Sequence, residues 1–324
     1  MPLKIDVLTE FDEDLIRREY LNQKPYVLKN VGSKWAAMKW DFESIKELCG
    51  STTVWAYQYD RNSSLSYIMQ AMLLRKRMTV STFLNDYFQK GAAATWSLKE
   101  CHEIFEDNPQ MLKDVDFKSI FTGPTDIPAW TYFWIGNPDS SIGLHSDVCE
   151  FNNLYQIIGT KKWKFYPPHD KDNLYMETKT TVEGGLYSPL DVFKTVDLQK
   201  YPNYAKATEY EVIIGPGDIL YVPSGWWHAV YSQTATMSVN YVCADEGSGG
   251  NGEWYQNMHS VAEAGRLIAL AFLQQMILKL GIFAYLVLEV LRSGLSLGAG
   301  KLLSDPTRSS LNAGTTKQKE KTHN

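Results

Sequence analysis

Hydrophobic and polar positions change rhythm partway along the chain. In the first fifty residues, DEDLIRREYLN and DFESIKELCG carry the three-to-four spacing of amphipathic helices, the second closing on Gly50. Between them KPYVLKNV reads as a strand, and TVWAYQYD alternates as a half-buried strand does. MTVSTFLNDYFQKG predicts a helix that opens at Thr79 or Ser81 and stops at Gly91, while residues 93–128 predict loop with short helices. From Trp130 the unit becomes a short strand between turns: WTYFWIG, GLHSD, NNLYQIIG and KKWKFYPP. Beyond an insertion at about 169–208 the strands resume as YEVIIGPGD, ILYVPSGWWHAVYS and TMSVNYVCAD. Short strands punctuated by Gly and Pro predict a mainly β chain with flanking helices, built on a double-stranded β-helix (jelly-roll) core. The expected organisation is a mixed helical flank over 1–128 packed on a barrel over 129–245. C-terminal helices over 253–293 and a disordered basic tail over 294–324 follow the Gly-rich break EGSGGNG.

One late stretch departs from this pattern. Leu267 to Leu291 is apolar except for Gln274, Gln275, Lys279 and Glu289, near the roughly 20 residues of a membrane span. Lys279 at its middle costs about 2.5–3.5 kcal/mol on insertion. Buried helices, packed on the domain or on a second copy in a homodimer, are therefore expected ahead of membrane contact through 267–291. The start, MPLKIDVLTEFDEDLI, is acidic where an export signal is basic and then apolar. Cys49, Cys101, Cys149 and Cys243 lie far apart and read as free thiols, so an intracellular setting, cytoplasm or nucleus, is expected.

Charge narrows the function classes. The 324 residues hold 32 basic and 37 acidic side chains, for a net charge of -5. Residues 301–324 carry +3 of this, which leaves the first 300 at -8. A general grip on nucleic acid needs a basic domain, so a nucleic-acid partner is disfavoured.

The chemistry begins at His145-Ser146-Asp147. On a strand the side-chain period is two, so His145 and Asp147 share a face and can grip a metal from one side. H-x-D alone is common by chance. Downstream, GPGDILYVPSGWWH passes two turns and ends at His228 on a strand expected to neighbour the first. Two His and one carboxylate on one side of a metal leave its other side open, the arrangement of non-heme Fe(II) oxygenases, although the same ligands suit Zn, Mn and Co. An oxygenase of that kind needs an anchor for 2-oxoglutarate, and Lys161 or Lys162 in GTKKWKFYPP is placed for it. Alternation turns one lysine in and the other out without choosing between them.

Four stretches together resemble the JmjC-type branch of the cupins, nearest the cupin-8 subset typified by the asparaginyl hydroxylase of hypoxia-inducible factor. They are KPYVLKNV with Trp35, HSDVCEFNNLYQIIGTKKWKFYPP, SPLDVFKTVDLQKYPNYAKATEYEVIIGPGDILYVPSGWWHAV and TMSVNY, within about residues 20–242. The resemblance implies that His145, Asp147 and His228 bind Fe(II), that Lys161 binds the distal carboxylate of 2-oxoglutarate, and that Asn152 and Asn240 contact this cosubstrate. It implies a dioxygenase that uses O2, converts 2-oxoglutarate to succinate and hydroxylates a protein or peptide side chain. An RNA-base or small-molecule hydroxylase of the same fold, and a non-catalytic cupin that only binds, are the alternatives. Two positions depart from the family. Ile142 stands where a Ser or Thr usually assists the lysine, with Ser141 one residue earlier, and Ser97 stands where a tyrosine usually caps the cosubstrate. Tyr132 and Tyr155 are candidates for the missing hydroxyl.

Overall fold

The computed structural model describes residues 2–59, 70, 73–90, 95–120, 129–147, 149, 151–176 and 185–243. The chain divides into two units, Met1–Ser260 and Val261–Asn324. The helices expected over 253–293, the 267–291 segment and the 294–324 tail lie outside the described residues. Among the described residues no helix is long and apolar enough to cross a membrane.

The N-terminal part contributes β1 (Leu3–Lys4), β2 (Asp6–Leu8), β3 (Tyr26–Leu28), β4 (Thr53–Tyr59), β5 (Arg75–Thr79) and β6 (Thr95–Cys101). Its helices include α1 (Glu13–Glu19) and α2 (Phe42–Cys49). The barrel region holds β7 (Ala129–Gly136), β8 (Ser141–Asp147), β9 (Phe151–Ile158), β10 (Lys161–Tyr166) and β11 (Gly185–Tyr187). It ends with β12 (Tyr210–Ile214), β13 (Ile219–Pro223), β14 (Trp227–Ser232) and β15 (Thr236–Cys243).

These strands form two sheets, ordered β1-β12-β10-β14-β8-β11 and β2-β3-β13-β9-β15-β7-β6-β4-β5. At the centre of each lie four antiparallel strands, β12-β10-β14-β8 and β13-β9-β15-β7. Apart from the β10–β12 step, which encloses the insertion, each central strand is followed along the chain by one in the opposite sheet. That crossing is the jelly roll expected from the turn spacing. Between the sheets pack Leu154, Trp163, Ile214, Leu220 and Val230. The outer face of the larger sheet is also buried: Phe133, Ile135, Tyr155 and Val239 pack against Ile16, Ile45 and Phe105 from the N-terminal flank. Burial on both faces gives strands such as NNLYQIIG their nearly continuous apolar run.

Local chemistry sets the helix ends. Asp12 caps α1 by accepting from the Leu15 backbone N–H at 3.0 Å. Asp41 and Ser44 form a reciprocal capping box on α2. The stretch expected to be one helix from Thr79 or Ser81 is more broken. Residues 75–79 belong to β5, Thr79 caps a single turn over Val80–Thr82, and a wider π turn follows over Phe83–Tyr87. WSLKE, expected in loop, is strand β6 between β4 and β7. Its alternation is masked by a bulge between Leu98 and Cys101, where Glu100 takes a positive φ of 51°. The N-terminal flank is thus rich in strands as well as helices, and it extends both sheets.

Candidate active site

His145 and Asp147 sit two residues apart on β8 and so share its inner face. His228 is the second residue of β14 and lies directly opposite His145 in the antiparallel register, with ring centroids 4.2 Å apart. One ligand atom from each of His145, Asp147 and His228 falls within 4.8 Å of the others. Backbone carbonyls orient both imidazoles: Nδ1 of His145 lies 2.8 Å from the Gly143 oxygen and Nδ1 of His228 lies 3.1 Å from the Trp226 oxygen. A carbonyl can only accept, so each Nδ1 carries a hydrogen, which leaves Nε2 as the ligand atom of each ring. Those Nε2 atoms face the carboxylate, His145 at 3.5 Å from Oδ1 and His228 at 3.6 Å from Oδ2 of Asp147.

Electrostatics keeps His145 and Asp147 in ligand form. Burial pushes His145 below the usual imidazole range, and the neighbouring His228 pushes it the same way. Burial alone would raise Asp147, but His228, His145 and the Asn152 amide together hold it below the ordinary carboxylate range. Tyr187 of β11 stacks on His145 with centroids 5.7 Å apart, which brings the insertion to the site.

The three side chains open into a cavity that Lys161, Asn152 and Asn240 also line. The six residues that the resemblance assigns to metal and cosubstrate therefore line one chamber. Periodicity leaves Lys161 and Lys162, the first two residues of β10, undecided, and packing separates them. Lys161 is 5% exposed and turns inward, whereas Lys162 pairs on the outer face with Glu211 at 2.8 Å. Lys161 Nζ donates to Ser238 Oγ at 2.6 Å and has no carboxylate partner among the described residues. Burial lowers its pKa from 10.5 to about 7.

Other positions sort by what they touch. A register shift between His228 and Val230 in the β14–β8 pairing turns Ile142 into the cavity, and Ser141 lines an adjoining pocket with Ser97 and Lys161. The hydroxyl beside the lysine comes from Ser238, which the sequence reading did not single out. It lies two residues before Asn240, so period-two alternation along TMSVNY was the available signal. Tyr155 points away and donates to the Gly32 carbonyl at 2.9 Å, so it supplies no hydroxyl here, whereas Tyr132 lines the cavity. Trp134, also unmarked in the sequence reading, lines the cavity and donates to Asn240 Oδ1 at 2.7 Å.

A family model described as a Cupin-like domain matches residues 13–242. The zebrafish (Danio rerio) HSPB1-associated protein 1 homolog is 30% identical over 67% of this chain and 51% of its own length. Jumonji C domain-containing protein 5 of Drosophila melanogaster is 28% identical over 67% of this chain and 54% of its own. The human bifunctional peptidase and (3S)-lysyl hydroxylase JMJD7 is 25% identical over 67% of this chain and 76% of its own. The chain thus spans about half the length of the first two relatives. The matched segment runs from α1 to the last barrel strand and contains every residue of the cavity described above, and on that match the chain belongs to the Cupin-like domain family.

Proposed function

We propose that the chain is an Fe(II)- and 2-oxoglutarate-dependent dioxygenase that hydroxylates a side chain of a protein or peptide substrate. One observation carries the reading: two imidazoles and a carboxylate share a chamber with a buried lysine that has no acid partner among the described residues. His145, Asp147 and His228 would hold Fe(II), a donor set suited to that ion. Lys161 would take the distal carboxylate of 2-oxoglutarate, and the fit extends to two orphaned groups. Trp163 Nε1 and Ser97 Oγ are buried without a hydrogen-bond partner among the described residues, and both residues belong to the walls of this chamber and the pocket beside it. Lone polar groups of this kind suit a ligand rich in oxygen acceptors.

When bound, Fe(II) with 2-oxoglutarate and O2 supplies oxidative decarboxylation to succinate and CO2 together with oxidation of a nearby C–H bond. The chain's own residues bind, orient and exclude water. The carbonyls of Gly143 and Trp226 hold the imidazoles with Nε2 inward, while Ile142, Leu154 and Val242 keep part of the wall apolar. A protein substrate is supported by the human relative, whose name is that of a lysyl hydroxylase. The charge of -8 over the first 300 residues favours a neutral or basic partner. The nearer likeness to the asparaginyl hydroxylase of hypoxia-inducible factor rests on HSDVCEFNNLYQIIGTKKWKFYPP and TMSVNY and belongs to the same proposal.

The test incubates the Fe(II)-loaded protein with 2-oxoglutarate and, separately, a peptide mixture, RNA and a metabolite extract. Mass spectrometry then reads the gain of one oxygen atom, alongside succinate release. Oxidised peptides that disappear with His145→Ala support the proposal. Oxidised RNA or metabolites in their place would reassign the substrate, and metal binding without succinate would make the chain a binding module.

A further inference from the structure

Asp147 is tied to the opposite sheet by three hydrogen bonds in series. Asn152 Nδ2 donates to Asp147 Oδ2 at 3.3 Å, and Asn240 Nδ2 donates to Asn152 Oδ1 at 3.1 Å. Trp134 Nε1 donates to Asn240 Oδ1 at 2.7 Å. The registers account for the run. Ser238 lies opposite Trp134 and Val242 opposite Asn152, so Asn240, between those two on β15, is the diagonal neighbour of both. Asn152 is 8% exposed and Asn240 3%, so water offers little competition for either amide.

The direction of this series follows from its first member. A carboxamide can present oxygen or nitrogen either way round, but an indole N–H can only donate. With Trp134 at the head, Asn240 must turn Oδ1 toward it and offer its NH2 onward. Asn152 then receives that N–H on Oδ1 and passes its own NH2 to Asp147. Asp147, which can only accept, favours the same direction from the other end, so the two amides are pinned between indole and carboxylate; without the indole N–H, Asn240 Oδ1 loses its partner and the amides are held from the carboxylate end alone.

We propose that Trp134 is a positioning residue: its indole N–H fixes which way Asn240 and Asn152 point, and through them it holds Asp147 in the orientation that ligates the metal. The inference rests on the reading of His145, Asp147 and His228 as a metal site. It assigns a role to a residue no motif marked, and it gives Asn152 and Asn240 work beyond contact with a cosubstrate.

The experiment titrates Co(II), whose visible absorption reports its ligands, into the full chain and two variants. Trp134→Phe keeps the aromatic wall and removes the donor. Asn240→Asp keeps the acceptor for Trp134 and removes the N–H for Asn152. Both are expected to weaken Co(II) binding by about ten- to a hundredfold and to alter the Co(II) spectrum. The melting temperature without metal should stay near the wild-type value for Trp134→Phe, which adds no charge, whereas Asn240→Asp puts a carboxylate at a 3% exposed position and should lower it. Variants that bind within about twofold of wild type with an unchanged spectrum would overturn the positioning role and leave the metal site standing. A wild-type protein that binds no Co(II), Mn(II) or Fe(II) would overturn both.

Discussion

Replacing Lys161 by Met separates a lysine kept for a ligand from one kept for the fold. Lys161 is 5% exposed, and Ser238 Oγ at 2.6 Å is the hydrogen-bond partner of its Nζ. Burial takes its pKa from 10.5 to about 7. At about 1.4 kcal/mol per unit, this places a penalty of about 5 kcal/mol on the charged form in the unliganded protein. Between pH 7 and 10.5 the unfolded chain holds this proton more firmly than the folded one, so the stability of the unliganded protein rises with pH there. Below pH 7 both states carry the proton and the whole penalty applies. Met keeps most of the alkyl volume and removes the charge, at the expense of about 1 kcal/mol for the Ser238 hydroxyl. Lys161→Met is therefore expected to stabilise the unliganded protein at slightly acid pH by about 1–3 kcal/mol in urea unfolding, with the gain shrinking as pH rises. Ligand binding should behave oppositely. A bound dicarboxylate returns the proton to wild-type Lys161, so calorimetry in buffers of different ionisation enthalpy should register uptake of nearly one proton above the pKa and almost none below it. The variant should lose that uptake and bind 2-oxoglutarate about ten- to a hundredfold more weakly. A variant that is destabilised in acid yet binds 2-oxoglutarate like wild type would refute the assignment.

Other expectations follow from single contacts. His145→Ala and Asp147→Ala should each lose metal binding and succinate formation while the far-ultraviolet circular dichroism stays native, since neither side chain belongs to an apolar cluster. Gly159→Ala should destabilise by about 2–4 kcal/mol in urea unfolding. Gly159 has φ +73°, and a methyl there meets the Ala235 carbonyl in the turn that sets the register of Lys161. Asp218→Ala should cost about 2–4 kcal/mol by thermal denaturation, because buried Asp218 accepts from the backbone N–H groups of Asn30 and Gly215 as well as from Lys29. A loss below about 1 kcal/mol would mean that water replaces those bonds.

The comparison of sequence with structure turns on how far each interaction reaches. His145 and Asp147 are two residues apart, so the pleat alone places them on one face, and the spacing is enough to say so. The turn at Gly215-Pro216-Gly217 and the alternation from Trp130 onward are local for the same reason, and they marked the strands of a jelly roll. The short strand at WSLKE escaped because a bulge at Glu100 breaks the period that would have revealed it.

Other features had no local signature. Alternation says that Lys161 and Lys162 face opposite ways, but which way is in depends on where the second sheet packs, and that decided for Lys161. The same packing sent Tyr155 to the Gly32 carbonyl and brought Ser238 to the lysine. His228 faces His145 because β14 pairs with β8 in one register, and Trp134 reaches Asn152 through Asn240 because three strands lie side by side. The sequence by itself determined the periods, the turns and the residue types able to hold a metal and an acid. Tertiary structure decided which faces point inward and which distant residues meet, because burial and cross-strand register depend on elements tens of residues apart.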